Sequence, residues 1–201
     1  MVRGKGLLFD VPGKPVYRIR LGVVFGDRHT LSVLGAPLQF KAEGQSGVPI
    51  FFNEENFAAG VPLEGLYRFN SWRVTYRYDL IRRENWRVGI GFTAKIRDAE
   101  IMISDGFLSS SKTDVGFVPL LNFRVEWRFV PAWILLLDGD ALASPGGQGR
   151  AEDVFLGFIW RASEAVRLKA GYRIVEGGAN VPEVYNFALI HYAVAGCVFR
   201  F

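Results

Sequence analysis

Ser71-Trp72-Arg73-Val74-Thr75-Tyr76-Arg77-Tyr78-Asp79-Leu80 alternates without a break. Trp72, Val74, Tyr76, Tyr78 and Leu80 share one parity; Ser71, Arg73, Thr75, Arg77 and Asp79 share the other. A β-strand sends successive side chains to opposite faces, so the stretch predicts a strand with one apolar and one polar face. On a helix the same residues turn by about 200° every two positions and scatter round the cylinder. The pattern recurs along the chain. Tyr17, Ile19, Leu21, Val23 and Phe25 oppose Arg18, Arg20, Gly22, Val24 and Gly26. Trp86, Val88, Ile90, Phe92, Ala94 and Ile96 oppose Arg87, Gly89, Gly91, Thr93, Lys95 and Arg97. Phe117, Leu121, Phe123, Val125, Trp127 and Phe129 oppose Gly116, Asn122, Arg124, Glu126 and Arg128, and Leu168, Ala170, Tyr172 and Ile174 oppose Arg167, Lys169, Gly171 and Arg173.

Nine strands are expected: 16–26, 29–42, 66–81, 85–104, 115–130, 133–143, 151–162, 165–176 and 184–201. Short connectors at Gly26-Asp27-Arg28, 82–85, 130–132 and 162–164 alternate with longer ones at 44–64, 105–114, 144–150 and 177–184, mostly marked by Gly and Pro. Short turns on one side and long loops on the other are the wiring of an antiparallel up-and-down transmembrane β-barrel. Bacterial single-chain barrels have even strand numbers. The expectation is therefore ten strands in the parent, with residues 1–14 an N-terminal loop or the remnant of a missing first strand, and residues 15–201 the barrel. Residues 44–64 include Val48-Pro49-Ile50-Phe51-Phe52 and are too apolar for a plain solvated loop.

The bulk numbers agree. Of the 201 residues, 50% are hydrophobic, 14% aromatic and 22% charged, which excludes a disordered chain. The net charge of +4 is spread one residue at a time, without the basic patch of a nucleic-acid binder. One cysteine excludes an internal disulfide framework, and two histidines leave little for a His-based metal site. No apolar run reaches the roughly 18 residues of a spanning helix. No export signal is readable, since Leu7-Leu8-Phe9 runs straight into Asp10 and Pro12. A removed signal or a late start to the reading frame is expected for that reason.

The same alternation fits a soluble lipocalin-like ligand-binding barrel turned inside out. Two features favour the membrane. Aromatics crowd the short-turn ends, among them Phe25, Tyr78, Trp86, Trp127, Trp133, Trp160, Phe199 and Phe201, as in the girdle at a membrane interface. The chain also closes Cys197-Val198-Phe199-Arg200-Phe201. A terminal Phe on an alternating strand resembles the signal read by the barrel-assembly machinery. The stretches Gly26-Asp27-Arg28-His29, Gly91 to Ile101 and Val184-Tyr185-Asn186-Phe187-Ala188 resemble a family of uncharacterised Gram-negative outer-membrane β-barrel proteins. That resemblance runs from about residue 15 and implies fold and an outer-membrane location, with lipids as partners and no assigned activity.

The chemistry is carried by the polar face. Arg18, Arg20, Arg73, Arg77, Lys95, Arg97, Arg124, Glu126, Asp138, Asp140, Lys169 and Arg173 project there by parity. In a narrow barrel such charges pair, or they line a small pore that favours anions. The pairs Asp138/Asp140 and Asp98/Glu100 are read as neutralising arginines rather than holding a cation. His191 falls on the apolar parity, where a bulge near Gly196 is expected to turn it inward. With a serine and an acid it would give an outer-leaflet lipid-modifying enzyme, the alternative function, but Ser71, Ser104, Ser109, Ser110 and Ser111 lie in no telling motif. The reading is a non-enzymatic outer-membrane barrel, structural or narrowly anion-conducting, with no catalytic residue, metal or cofactor assigned and no nucleic-acid partner.

Overall fold

The computed structural model describes residues 7–10, 13–143, 149–181 and 184–201. Among them there are thirteen strands and no helix: β1 (Leu7–Asp10), β2 (Ile19–Phe25), β3 (His29–Ala36), β4 (Gln39–Ser46), β5 (Ile50–Phe52), β6 (Glu55–Phe57), β7 (Pro62–Arg82), β8 (Trp86–Ser104), β9 (Ser109–Val130), β10 (Trp133–Ala143), β11 (Gly149–Arg161), β12 (Val166–Val181) and β13 (Val184–Phe199). One eleven-stranded sheet runs β1-β4-β7-β8-β9-β10-β11-β12-β13, with β3 pairing both β2 and β7; β5 and β6 form a separate hairpin. The pairing of β10 through β13 is antiparallel and follows chain order, so from β7 onward this is the meander that the alternation predicts.

The edge at the N-terminal side differs from expectation. Leu7–Asp10 forms β1 and pairs with Glu43–Ser46 of β4, while β2 pairs with β3. Because β7 takes β3 along one part and β4 along the other, β1 and β2 lie beside one interrupted strand. Pro37 makes the interruption: it has no N–H for the ladder. Asn70 Oδ1 accepts from the Leu38 amide at 3.0 Å, and Leu38 O accepts from the Phe69 amide at 2.8 Å, which carries the pairing across the gap.

The expected long connectors are shorter than the alternation suggests. Between β8 and β9 only Asp105–Leu108 turn, whereas a loop over 105–114 is expected. β12 likewise runs to Val181 and β13 starts at Val184. Ser109-Ser110-Ser111-Lys112-Thr113 has no apolar parity to read, yet its backbone pairs as well as any. The expected connector 144–150 lies almost wholly outside the described residues. Within 44–64 the chain forms the β5–β6 hairpin. Asn53 and Glu54 have φ of 45° and 72°, the left-handed pair that a two-residue type I′ turn requires.

Two compact units divide the described chain: one within residues 1–21, 33–73 and 95–118, the other within 22–32, 74–94 and 119–201. The first holds a small apolar cluster of Ile50, Phe57, Leu63 and Ile103, backed by Phe52, Val61 and Leu108. So the apolar residues of 44–64 fold onto the end of β8. In the second unit the burial is inverted. On β7, Thr75, Arg77 and Asp79 are buried at 2%, 8% and 3% exposure, while Val74, Tyr76 and Leu80 are 49%, 40% and 51% exposed. On β8, Gly89, Gly91 and Thr93 are buried while Ile90, Phe92 and Ala94 are exposed. β10 and β11 add a buried apolar cluster to the polar face, Ile134, Leu136, Phe155 and Ile159.

Candidate functional site

The polar face is built by register. Adjacent strands place same-parity side chains opposite one another, and long cationic side chains then reach acids on neighbouring strands. Three charge groups form this way in the second unit. Asp79 stands between Arg77, at 3.7 Å, and Arg87, at 3.4 Å. Arg124 binds Glu126 at 2.7 Å on its own strand and Asp138 at 3.1 Å across on β10. Arg173 pairs with Asp153 across β11 and β12, and both are buried. The Phe155 ring lies under two cations, Lys169 Nζ at 4.8 Å and the Arg173 guanidinium at 5.4 Å. Gly157 and Gly171 make room for that ring: a Cβ at either would meet Phe155 Cζ, at 2.6 and 2.9 Å. Gly89 does the same for Arg77 and Asp79.

Asp140 accepts from two uncharged side chains. Thr93 Oγ1 donates to Asp140 Oδ1 at 2.7 Å, and Asn122 Nδ2 donates to the same oxygen at 2.8 Å. Thr75 and Thr93 share a hydroxyl–hydroxyl bond of 2.8 Å. All four side chains are buried. The buried carboxylate is therefore hydrogen-bonded, the condition under which a buried acid is tolerated.

In the first unit, Arg68 bridges Asp98 at 3.3 Å and Glu100 at 3.1 Å, and Asn70 Nδ2 donates to Asp98 at 3.0 Å. Arg73 Nε donates to Ser71 Oγ at 2.8 Å, Lys95 Nζ lies 4.8 Å from the Phe69 ring centre, and Arg97 pairs with Asp114. Arg18 is half-buried and Arg20 exposed: β2 buries neither face. The acid pairs 98/100 and 138/140 thus meet arginines, threonine and asparagine, and no group of three or more metal-ligating side chains occurs among the described residues.

The aromatic residues of the opposite face touch in series. Trp86 stacks on Trp127 with centres 5.6 Å apart; Trp127 contacts Phe129; Phe129 and Trp133 both meet Phe158; Trp133 stacks on Trp160 at 6.4 Å. A register shift between Trp133 and Ile134 leaves Phe129 as an extra residue in β9, so Phe129 and Val130 are exposed in succession. Phe25 stacks on His29 at 5.2 Å, and Tyr78 lies 5.0 Å from the same ring. Phe199 and Phe201 are exposed at the chain end.

His191 stays where its parity puts it. The β12–β13 register runs unbroken from Val166↔Phe199 to Val181↔Val184, so the expected bulge near Gly196 does not form. His191 Nδ1 and Tyr172 Oη share a hydrogen bond of 2.6 Å on this face. His29 makes the same bond with Tyr76 at 2.8 Å. Ser71 is held by Arg73, while Ser104 donates to Leu108 O and Ser110 to Asn53 O.

Sequence reading missed Arg68, Asp153 and Phe155. Residues 151–162 are apolar on both parities around Val154-Phe155-Leu156, so the face carrying Asp153 was not legible there. The facing residues Asp140↔Asp153 appear only once β10 and β11 are paired. No helix among the described residues is long and apolar enough to cross a membrane, which says nothing about β-barrels. No protein-family model, curated protein or solved structure matches the chain.

Proposed function

We propose that the chain is a non-enzymatic β-barrel of a bacterial outer membrane, its apolar face against lipid and its charged face enclosing a salt-bridged interior. The observation that carries this reading is the inverted burial of β7 and β8: charged and hydroxyl side chains inside, Trp72, Val74, Leu80, Ile90 and Phe92 outside. A soluble lipocalin-like barrel needs the reverse. Length supports the same reading. The exposed apolar parity of β8 spans Trp86 to Ile96, eleven residues, against the 9–11 or so that a tilted strand needs to cross the hydrocarbon core. The aromatic series from Trp86 to Trp160 gives one interface its girdle. β13 with the Phe201 that follows it would engage the barrel-assembly machinery, in keeping with the resemblance to Gram-negative outer-membrane barrels.

The interior is mainly structural in this reading, because the buried acids of β7, β9, β10 and β11 are engaged by arginines or by the Thr93–Asn122 pair. Narrow anion conduction is the second reading, favoured by Arg161, Arg167 and Arg200, which pair with no carboxylate among the described residues. The test is refolding into detergent followed by planar-bilayer recording. A heat-modifiable, detergent-dependent barrel with no steady openings supports the structural role, and anion-selective openings support the pore. A protein that is monomeric and folded without detergent sinks both.

A further inference from the structure

Most cations of the polar face meet an acid or an aromatic ring. Among the described residues, Arg161, Arg167 and Arg200 do not. Arg161 and Arg167 are direct cross-strand partners on β11 and β12. Opposed residues share a face with Cβ atoms about 5 Å apart, and like charges so placed repel. Arg167 faces Val198 of β13, so Arg200, two residues on, is its diagonal neighbour on that face. The Arg200 amide donates to Ala165 O at 2.9 Å, which fixes it there. Arg87 acts electrostatically on both Arg167 and Arg200. The acid that acts on them is Glu126, and Glu126 is already bonded to Arg124 at 2.7 Å.

The guanidinium nitrogens add a second, independent observation. The Nε atoms of Arg161 and Arg167 are buried and have no hydrogen-bond partner among the described residues. Arg77, Arg97 and Arg173 also bury an Nε, but each has a carboxylate on another of its atoms or beside it. Arg161 gives one Nη hydrogen bond to Pro131 O at 3.1 Å. Buried donors left without acceptors are costly, and here the cost coincides with uncompensated positive charge.

We propose that Arg161, Arg167 and Arg200 form a binding site for an oxyanion of the phosphate type. The guanidinium fork matches tetrahedral oxyanions bidentately. A halide, which has no set of oxygens to match the guanidinium forks, would use fewer of the donors. The inference rests on the barrel reading only in placing the site at the short-turn end of the interior. The phosphate group could belong to a free anion or to a phospholipid headgroup, and the experiment separates the two.

The full chain, folded in a non-ionic maltoside detergent, is titrated calorimetrically with inorganic pyrophosphate at matched chloride ionic strength. It is then titrated with micelles doped with phosphatidylglycerol. Binding of pyrophosphate identifies a free anion, and binding of the doped micelles alone identifies a headgroup. Arg167→Gln weakens whichever binds by roughly 10- to 100-fold, as expected when hydrogen bonds to a charged group are lost. The same variant unfolds at a higher denaturant concentration than the parent when no oxyanion is present, because the repulsion with Arg161 is gone. Absence of binding in both arms overturns the site. So does an Arg167→Gln variant that binds like the parent or is destabilised without ligand. A chain that behaves as a barrel but fails here loses only the site; one that folds without detergent and still binds pyrophosphate keeps the site and loses the barrel.

Discussion

Asp140 and Asp153 face each other directly across β10 and β11, both buried at 2% exposure, and what holds each differs. Asp140 accepts hydrogen bonds from Thr93 and Asn122; Asp153 pairs with Arg173. Replacing Asp153 with Asn removes a like charge from opposite Asp140, a gain of about 1 kcal/mol at most. It also strands a buried guanidinium, which costs about 3–5 kcal/mol. The second effect wins, so Asp153→Asn is expected to lose about 2–4 kcal/mol in equilibrium unfolding of the refolded protein. Asp153→Asn with Arg173→Gln recovers part of that loss, because the unpaired charge is gone. Equal stability of the single variant and the parent would show that the pair contributes nothing. The polar parity that carries Arg73, Arg77, Lys95 and Arg173 was legible because apolar residues flank each one in sequence. The partner of each was not, because register is a property of two strands and only their pairing chooses which acid stands beside which arginine.

The elements show where periodicity stops informing. β8 alternates cleanly to Ile96, and from Arg97 to Met102 every residue is half-buried. There Arg68 crosses to Asp98 and Glu100, and the β8–β9 turn that follows is held by one carboxylate. Asp105 Oδ1 accepts from the Leu108 amide at 2.7 Å and the Phe107 amide at 3.0 Å. Those two bonds, Leu108 the stronger, hold the Asp105 carboxyl below its ordinary value. A group depressed in the folded state stabilises it above the unfolded carboxylate value near 3.9, and that contribution fades as pH falls through the folded value. The amides of Phe107 and Leu108 should therefore keep their exchange protection, corrected for intrinsic rate, from neutral pH down to about 4 and lose it below. Asp105→Ala should remove the protection at every pH. Protection that survives acid in the parent would mean that the backbone alone holds this turn. The turn escaped sequence reading because Ser109–Thr113 is polar on both parities, so the residues that extend β9 resembled a loop.

All five tryptophans of the chain, Trp72, Trp86, Trp127, Trp133 and Trp160, are between 41% and 51% exposed and sit on the apolar parity of their strands. A water-soluble protein of this size would bury several of them, since each indole covers a large apolar area. The molecule instead buries Thr75, Arg77, Asp79, Asp138, Asp140 and Arg173. In the membrane reading proposed above an apolar solvent covers the other face, and tryptophan emission reports on that solvent directly. In vesicles, lipids brominated along the acyl chains should quench most of the fluorescence, while aqueous iodide quenches little of it. Depth adds a finer expectation. Trp86, Trp127, Trp133 and Trp160 adjoin the short turns and form two stacked pairs joined through Phe129 and Phe158, so bromines near the headgroup should quench them best. In a Trp86/127/133/160→Phe variant the remaining Trp72 lies at least ten residues along β7 from the turn at 83–85. That is about 33 Å of strand, or roughly 25 Å of depth at a 45° tilt, which carries Trp72 toward the far interface. Its emission should then be quenched from the outer leaflet when bromolipid is confined to that side. Strong iodide quenching of the parent, with no effect of bromolipid, would mean that the apolar face meets water or protein instead, and the membrane reading would fall with it.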